Sequence, residues 1–201
     1  MTFSILSVCT GNICRSPVAE LLLASALEPF PEVVVASAGT GALVGGGVPE
    51  PAQRLAASVG IDASAHRARQ FDPEMLREAD LIVAMAREHR RIAVESFPGA
   101  MRRSFTLREL ARIADVVEPS LPDAIRNAGA TSPSDGMRAA VALASALRGT
   151  VSPPTSPDEF DIVDPYRRSE ETYQRSFNEL APAAGRVASF LATAARMAAS
   201  S

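Results

Sequence analysis

Apolar and polar positions follow two rhythms along this chain. Residues 3–8, 32–37, 81–85 and 104–106 are short, mostly apolar runs bounded by turn-forming residues. Such runs predict strands, with the longer ones buried on both faces. Residues 18–27, 52–59, 73–79, 87–96 and 107–114 carry helical spacing or helix punctuation. Pro17, Pro51 and Pro73 stand at helix starts, where a missing N–H costs nothing, and Gly60 suits a helix end. Ser16 fits the cap position just before Pro17. Residues 170–197 predict a long amphipathic closing helix, with Pro182 as the point for a kink.

Strands that alternate with helices predict an α/β fold, a four-stranded parallel sheet with helices on both faces. In the order 2-1-3-4 the first strand lies inside the sheet. The loop after it then sits at the switch point where such folds bind ligands. Residues 118–136, rich in Pro, Ser, Asp and Gly, predict a loop; 137–148, rich in Ala, predict a helix; 149–159 predict a linker. The domain expectation is a single unit over 1–201 with an inserted loop-helix-linker segment at about 118–159. That segment reads either as a helix packed on the body or as a lid or docking element beside the motif that follows it.

Composition narrows the picture. The chain has 201 residues and 47% hydrophobic content, ample for one core. Its net charge of −3 gives no electrostatic argument for nucleic acid. Two Cys cannot build a disulfide framework, and a reducing, cytoplasmic setting is expected. Met1 leads directly into a strand without a basic segment, so no signal peptide is expected. No apolar run is long enough for a membrane span, and no membrane insertion is expected. The two His and two Cys are not set at ligand spacing, so no structural zinc site is expected; no other metal and no cofactor is expected either.

The candidate chemistry lies in Cys9-Thr10-Gly11-Asn12-Ile13-Cys14-Arg15-Ser16-Pro17. A tight turn from a strand into a helix N-terminus aims backbone N–H groups at one centre, and the helix dipole adds positive field. Gly11 permits a close approach or a positive φ, and Asn12 also tolerates the left-handed region. The planar fork of Arg15 can hold two phosphate oxygens. Cys9, in that positive field, is a candidate nucleophile aimed at phosphorus. No Gly-Lys-Ser/Thr follows the glycine, which excludes a nucleotide P-loop.

Cys-x5-Arg-Ser between strand and helix is similar to the phosphate loop of protein tyrosine phosphatases. The fuller string Cys9 to Pro17 resembles the low-molecular-weight class, of bacterial type. That resemblance covers residues 1 to about 110 and 160 to about 196, and it implies the 2-1-3-4 order. It implies a metal-independent phosphoric monoester hydrolase acting through a phosphocysteine, with Thr10, Gly11, Asn12, Ile13, Cys14, Ser16 and Tyr166 around the phosphate and substrate. Asp161-Ile-Val-Asp164-Pro165-Tyr166 resembles the Asp-Pro-aromatic loop that carries the general acid. Asp164 is the expected acid and Asp161 its competitor. Asn12, Ser37 and His66 match positions of a hydrogen-bonded network that braces the loop. Ser16 can serve as a helix cap, as a hydroxyl partner of Cys9, or as both. Cys14 matches a second loop Cys. It reads equally as a redox partner of Cys9 or as a small buried residue.

Members that act on phosphoarginine carry Thr where Ile13 stands; an aliphatic residue there goes with phosphotyrosine. The Leu43-Val44 region and Tyr166 are the expected pocket walls. Arg167 follows Tyr166, so the paired tyrosines of some animal members are absent. Similarity to bacterial members suggests a tyrosine-phosphorylated protein as partner, such as a cognate bacterial tyrosine kinase. The alternatives are a phosphoarginine phosphatase, an arsenate reductase on the same fold, or a phosphate-binding module without turnover. The arsenate cycle needs a further downstream Cys, and none follows Cys14. A non-catalytic module would be expected to lack Cys9, Arg15 or Asp164, and all three are present.

Overall fold

The computed structural model describes residues 1–200. Strand β1 (Phe3–Cys9) lies inside a parallel sheet, paired with β2 (Val33–Gly39) on one side and β3 (Leu81–Ala84) on the other. A short β4 (Ser104–Thr106) completes the order β2-β1-β3-β4, as expected. Both faces are covered. Phe3, Ile5 and Cys9 of β1, with Leu81 and Val83 of β3, join one large core; Leu6 and Val8, with Ile82, join a second, smaller one. The period-2 pleat thus sends alternate residues into two cores, which is why the strands read as continuous apolar runs.

The large core is closed by α1 (Arg15–Ala26), α2 (Glu50–Ala57), α5 (Leu107–Val117), α6 (Leu121–Ala128), α7 (Pro133–Leu147) and α8 (Glu170–Ala199). The smaller core is closed by α3 (Pro73–Glu78) and α4 (Arg87–Ser96). Thr106 opens α5 with a reciprocal capping box to Glu109. Pro182 lies inside α8, which continues through it as one helix.

Two sequence expectations need correction. Residues 118–136 are not a loop, since α6 and the first turn of α7 occupy much of that stretch. Its supposed helix breakers act as punctuation. Pro122 and Pro133 sit in first turns, Gly129 ends α6 at φ 61°, and the Ser132 side chain caps α7. Second, α1 begins at Arg15, so Cys14 occupies the cap position and Ser16 lies inside the first turn.

Helix α7 packs on α8 with almost no gap. A Cβ at Gly136 would come within 2.4 Å of the Ala194 carbonyl oxygen and 2.8 Å of the Ala198 Cβ. From its end the chain runs through residues 148–160, held by Arg112 bonds to the Ser152 and Pro153 carbonyls, and into the stretch 161–166. No helix is long and apolar enough to cross a membrane among the described residues.

Candidate active site

Cys9 is the last residue of β1 and Arg15 the first of α1. The intervening loop is held from several sides. Its open edge continues the sheet ladder: the N–H groups of Thr40, Gly41 and Leu43 donate to the carbonyls of Cys9, Thr10 and Gly11. A Cβ at Gly39 would lie 2.4 Å from the Thr10 carbonyl, so this close approach of β2 requires glycine. Asn12, not Gly11, takes the left-handed conformation, at φ 52°. A Cβ at Gly11 would only reach ordinary contact, 3.4 Å from Ile13.

Asn12 is fully buried and uses its whole amide. Its Nδ2 donates to Ser16 Oγ at 3.0 Å and Ser37 Oγ at 2.8 Å, and its Oδ1 accepts the Arg69 N–H at 2.8 Å. His66 Nε2 donates to the Asn12 carbonyl at 2.7 Å. The Ser37 hydroxyl passes on to the Glu20 carboxylate. Ser16 Oγ lies 2.9 Å from Cys9 Sγ, and the Asn12 N–H donates to that sulfur at 3.3 Å. The structure therefore brings Asn12, Ser16, Ser37 and His66 into one network that ends on the Cys9 sulfur. A satisfied buried network of this kind fixes a single geometry.

A cavity of about 230 Å³ is lined by Cys9, Thr10, Gly11, Ile13, Cys14, Arg15, Gly41, Leu43, Asp164 and Tyr166. Leu43 is among the lining residues; Val44 is not, and is 72% exposed. Arg15 is 5% exposed and bridges two segments: one terminal nitrogen donates to the Ile162 carbonyl at 3.1 Å, the other pairs with Asp164 Oδ2 at 2.7 Å. Its Nε–H is buried without a partner in the chain.

The two candidate acids are held differently. Asp161 accepts the Arg87 backbone N–H at 2.7 Å and the Arg87 guanidinium at 2.8–3.2 Å. Its carboxylate is committed to the start of α4. Asp164 is half exposed, lines the cavity, and accepts the Tyr166 N–H at 3.2 Å. The Ile162 N–H donates to the Met85 carbonyl at 2.9 Å and Arg108 donates to the Asp161 carbonyl at 3.0 Å, so the 161–166 stretch is tied to the end of β3 and to α5.

Cys14 is buried, and its burial pushes the thiol up to about 12 against the lowering effect of a hydrogen bond with Tyr173. A thiol kept protonated is a poor nucleophile. Burial thus favours the protonated form of Cys14 and leaves both readings of it, small buried residue and redox partner of Cys9, open.

Sequence reasoning missed His89. It is 2% exposed on the first turn of α4, with Nε2 2.8 Å from the Thr10 hydroxyl and Nδ1 unpartnered. Burial, then the Arg15 charge, pushes it down to about 4, so the imidazole is neutral at ordinary pH. Nothing local in the sequence marks it, because the contact exists only once α4 packs beside the loop. Arg87, Arg69, Glu20 and Tyr173 were missed for the same reason. Together the cavity holds a thiol, a guanidinium and a carboxyl group around one small volume, a set suited to attack on a phosphoryl group and protonation of its leaving oxygen.

Comparison with known proteins agrees with this chemistry. A family model described as low molecular weight phosphotyrosine protein phosphatase matches residues 4–130. The low molecular weight protein-tyrosine-phosphatase Ptp of Acinetobacter johnsonii is 38% identical over 104 residues, 52% of this chain and 71% of that protein. A protein-arginine-phosphatase of Geobacillus stearothermophilus is 39% identical over 115 residues, 57% of this chain and 76% of that protein. The crystal structure of the tyrosine phosphatase AmsI of Erwinia amylovora superposes with a TM-score of 0.64 at 27% identity, covering 92% of this chain and 91% of that one.

Proposed function

Because the chain belongs to the low molecular weight phosphotyrosine protein phosphatases, a hydrolase family, we propose that it cleaves phosphotyrosine in proteins through a phosphocysteine on Cys9. One observation carries this reading: Cys9, Arg15 and Asp164 line a single cavity. The Cys9 thiolate attacks phosphorus, the S–P bond forms and the P–O bond to the tyrosyl oxygen breaks. Asp164, as the acid, gives its proton to that oxygen. Water then attacks the phosphocysteine, Asp164 takes its proton, the S–P bond breaks, and phosphate and the thiolate are restored. Arg15 and the loop N–H groups hold the equatorial oxygens.

The unpartnered Arg15 Nε–H and the Ser16 hydroxyl at 2.9 Å from Cys9 Sγ support those assignments. A phosphoryl group bound to Arg15 competes with Asp164 for the same guanidinium, so binding releases the carboxyl group toward the leaving oxygen. Asp161 is a weaker candidate for the acid because Arg87 holds both of its oxygens.

The second reading is a phosphoarginine phosphatase, favoured by the Geobacillus relative. Ile13 argues against it. This buried apolar side chain lines the cavity together with Leu43 and Tyr166, a wall suited to a phenyl ring. The proposed partner is a tyrosine-phosphorylated protein, such as a cognate bacterial tyrosine kinase. A reducing, cytoplasmic setting suits Cys9 and Cys14, both free thiols.

The test is hydrolysis of an aryl phosphate in EDTA by wild type and Cys9→Ser, followed by matched phosphotyrosine and phosphoarginine peptides. Turnover by wild type only, with phosphotyrosine preferred, is the expected result. Full activity of Cys9→Ser overturns the nucleophile, and preference for phosphoarginine overturns the substrate class.

A further inference from the structure

We propose that Arg167 and Arg168 form a basic rim on the cavity that selects phosphotyrosine flanked by Asp or Glu in the substrate protein. This inference rests on the phosphotyrosine reading above and specifies the peptide that reading leaves open.

The chain has 20 basic residues, every one an arginine, and almost all are occupied within the chain. Arg54, Arg87, Arg138 and Arg186 hold carboxylates; Arg69, Arg90, Arg103 and Arg112 donate to backbone carbonyls. Among the described residues, the guanidiniums without a hydrogen bond or ion pair are those of Arg102, Arg167, Arg168 and Arg196. Arg102 lines a separate cleft against α7, and Arg196 lies over the Phe30 ring near the end of α8. The remaining two are consecutive, exposed, and directly follow a residue of the cavity wall.

A turn sets the backbone of both. The Arg168 N–H donates to the Pro165 carbonyl at 2.9 Å, closing a turn over residues 165–168. Within it Arg167 takes the left-handed region at φ 58°, which costs a residue with a Cβ about 1 kcal/mol or more. The same turn sets the Arg167 guanidinium over the Tyr166 ring, 5.1 Å from its centroid. Tyr166 lines the cavity, so a fixed positive charge stands one side chain away from the substrate ring.

The neighbouring carboxylates do not neutralise this rim. Asp164 pairs with Arg15, Asp158 and Asp161 with Arg87, and Glu170 with Arg54, while Glu171 accepts a hydrogen bond from Ser169. On another wall Leu43 is 44% exposed and its backbone is pinned to Gly11. Beside the cavity wall at Tyr166 the chain thus carries two consecutive exposed arginines without a carboxylate partner, one of them over the Tyr166 ring, and Leu43 gives an apolar edge on another side. A peptide with acidic residues beside the phosphotyrosine complements the first and tolerates the second.

The experiment compares kcat and KM of the full chain on three substrates: an aryl phosphate, a phosphotyrosine peptide with Asp/Glu flanks, and the same peptide with Lys flanks. Wild type is expected to favour the acidic peptide. Arg167→Glu/Arg168→Glu should lower kcat/KM on it by roughly 3–30-fold, through KM, raise it on the Lys peptide, and leave the aryl phosphate within about twofold. The milder Arg167→Ala/Arg168→Ala should fall between. Raising salt from 0.1 M to 1 M, which shortens the screening length from about 10 Å to about 3 Å, should erase most of the preference. If wild type turns over the aryl phosphate yet shows no preference, or the double variant retains it, the rim is refuted alone. If wild type does not cleave the aryl phosphate, the phosphatase reading falls and the rim falls with it.

Discussion

Asp164→Asn separates the two tasks assigned to one carboxyl group. As an acid, Asp164 protonates the leaving oxygen, and a positioned general acid contributes about 10²- to 10⁴-fold. That loss should appear in kcat for phenyl phosphate, whose leaving group needs the proton. It should be much smaller for 4-nitrophenyl phosphate, whose phenolate leaves unaided. As the ion-pair partner of Arg15 at 2.7 Å, Asp164 also occupies the guanidinium that binds phosphate. Its side chain is 50% exposed, so the pair counts at the surface value of about 0.2–1 kcal/mol rather than at a buried one. Removing the charge should therefore tighten inhibition by inorganic phosphate by roughly 1.5- to 5-fold while catalysis falls. The assay is a leaving-group series with phosphate inhibition measured on the same samples, and Asp161→Asn as the control. Asp161→Asn leaves Arg87 paired with Asp158 alone but should keep the wild-type leaving-group slope. If Asp164→Asn keeps that slope and Asp161→Asn steepens it, the acid is Asp161. If phosphate binds Asp164→Asn more weakly than wild type, the competition for Arg15 is wrong.

Three further outcomes follow from the packing. His89 titrates near 6.5 when unfolded and about 4 in the fold, so only the unfolded chain takes up its proton between those values and stability falls as pH falls through that window. Urea melts of wild type should lose about 2–3 kcal/mol more than His89→Gln between pH 7 and 4.5; equal losses would refute the buried neutral imidazole. Gly136→Ala should lower stability by about 1–2 kcal/mol, because the clash with the Ala194 carbonyl outweighs the gain of about 1 kcal/mol in helix propensity; a raised Tm would contradict the close α7–α8 contact. In Cys9→Ser, iodoacetamide at pH 7.5 should leave Cys14 unmodified until denaturant is added, and rapid labelling of the folded chain would contradict its burial as a protonated thiol.

Local signals were enough for the four strands, most helices and the turn from Cys9 to Arg15, because each is written in a few adjacent residues. They failed where the same residues permit two structures. The Pro and Gly of residues 118–136 mark loops when scattered and helix ends when they fall one helix apart, as Pro122, Gly129 and Pro133 do. Ser16 looked like a cap because Pro17 follows it, yet Pro is equally at home on the third helical residue, whose N–H has no partner inside the helix. Contacts between distant segments left no trace in the sequence. Thr10 meets His89 only because β1 and β3 are neighbours and α4 follows β3 directly.

The Arg87 guanidinium joins Asp158 and Asp161, at the two ends of the turn that leads to Asp164. Arg87 itself belongs to the first turn of a helix rooted at the end of β3. Asp164 is therefore surveyed from a benchmark on the sheet, not from the end of the helix that precedes it in the chain. Length added or removed upstream of Asp158 changes the route by which the chain arrives and leaves the destination where it was.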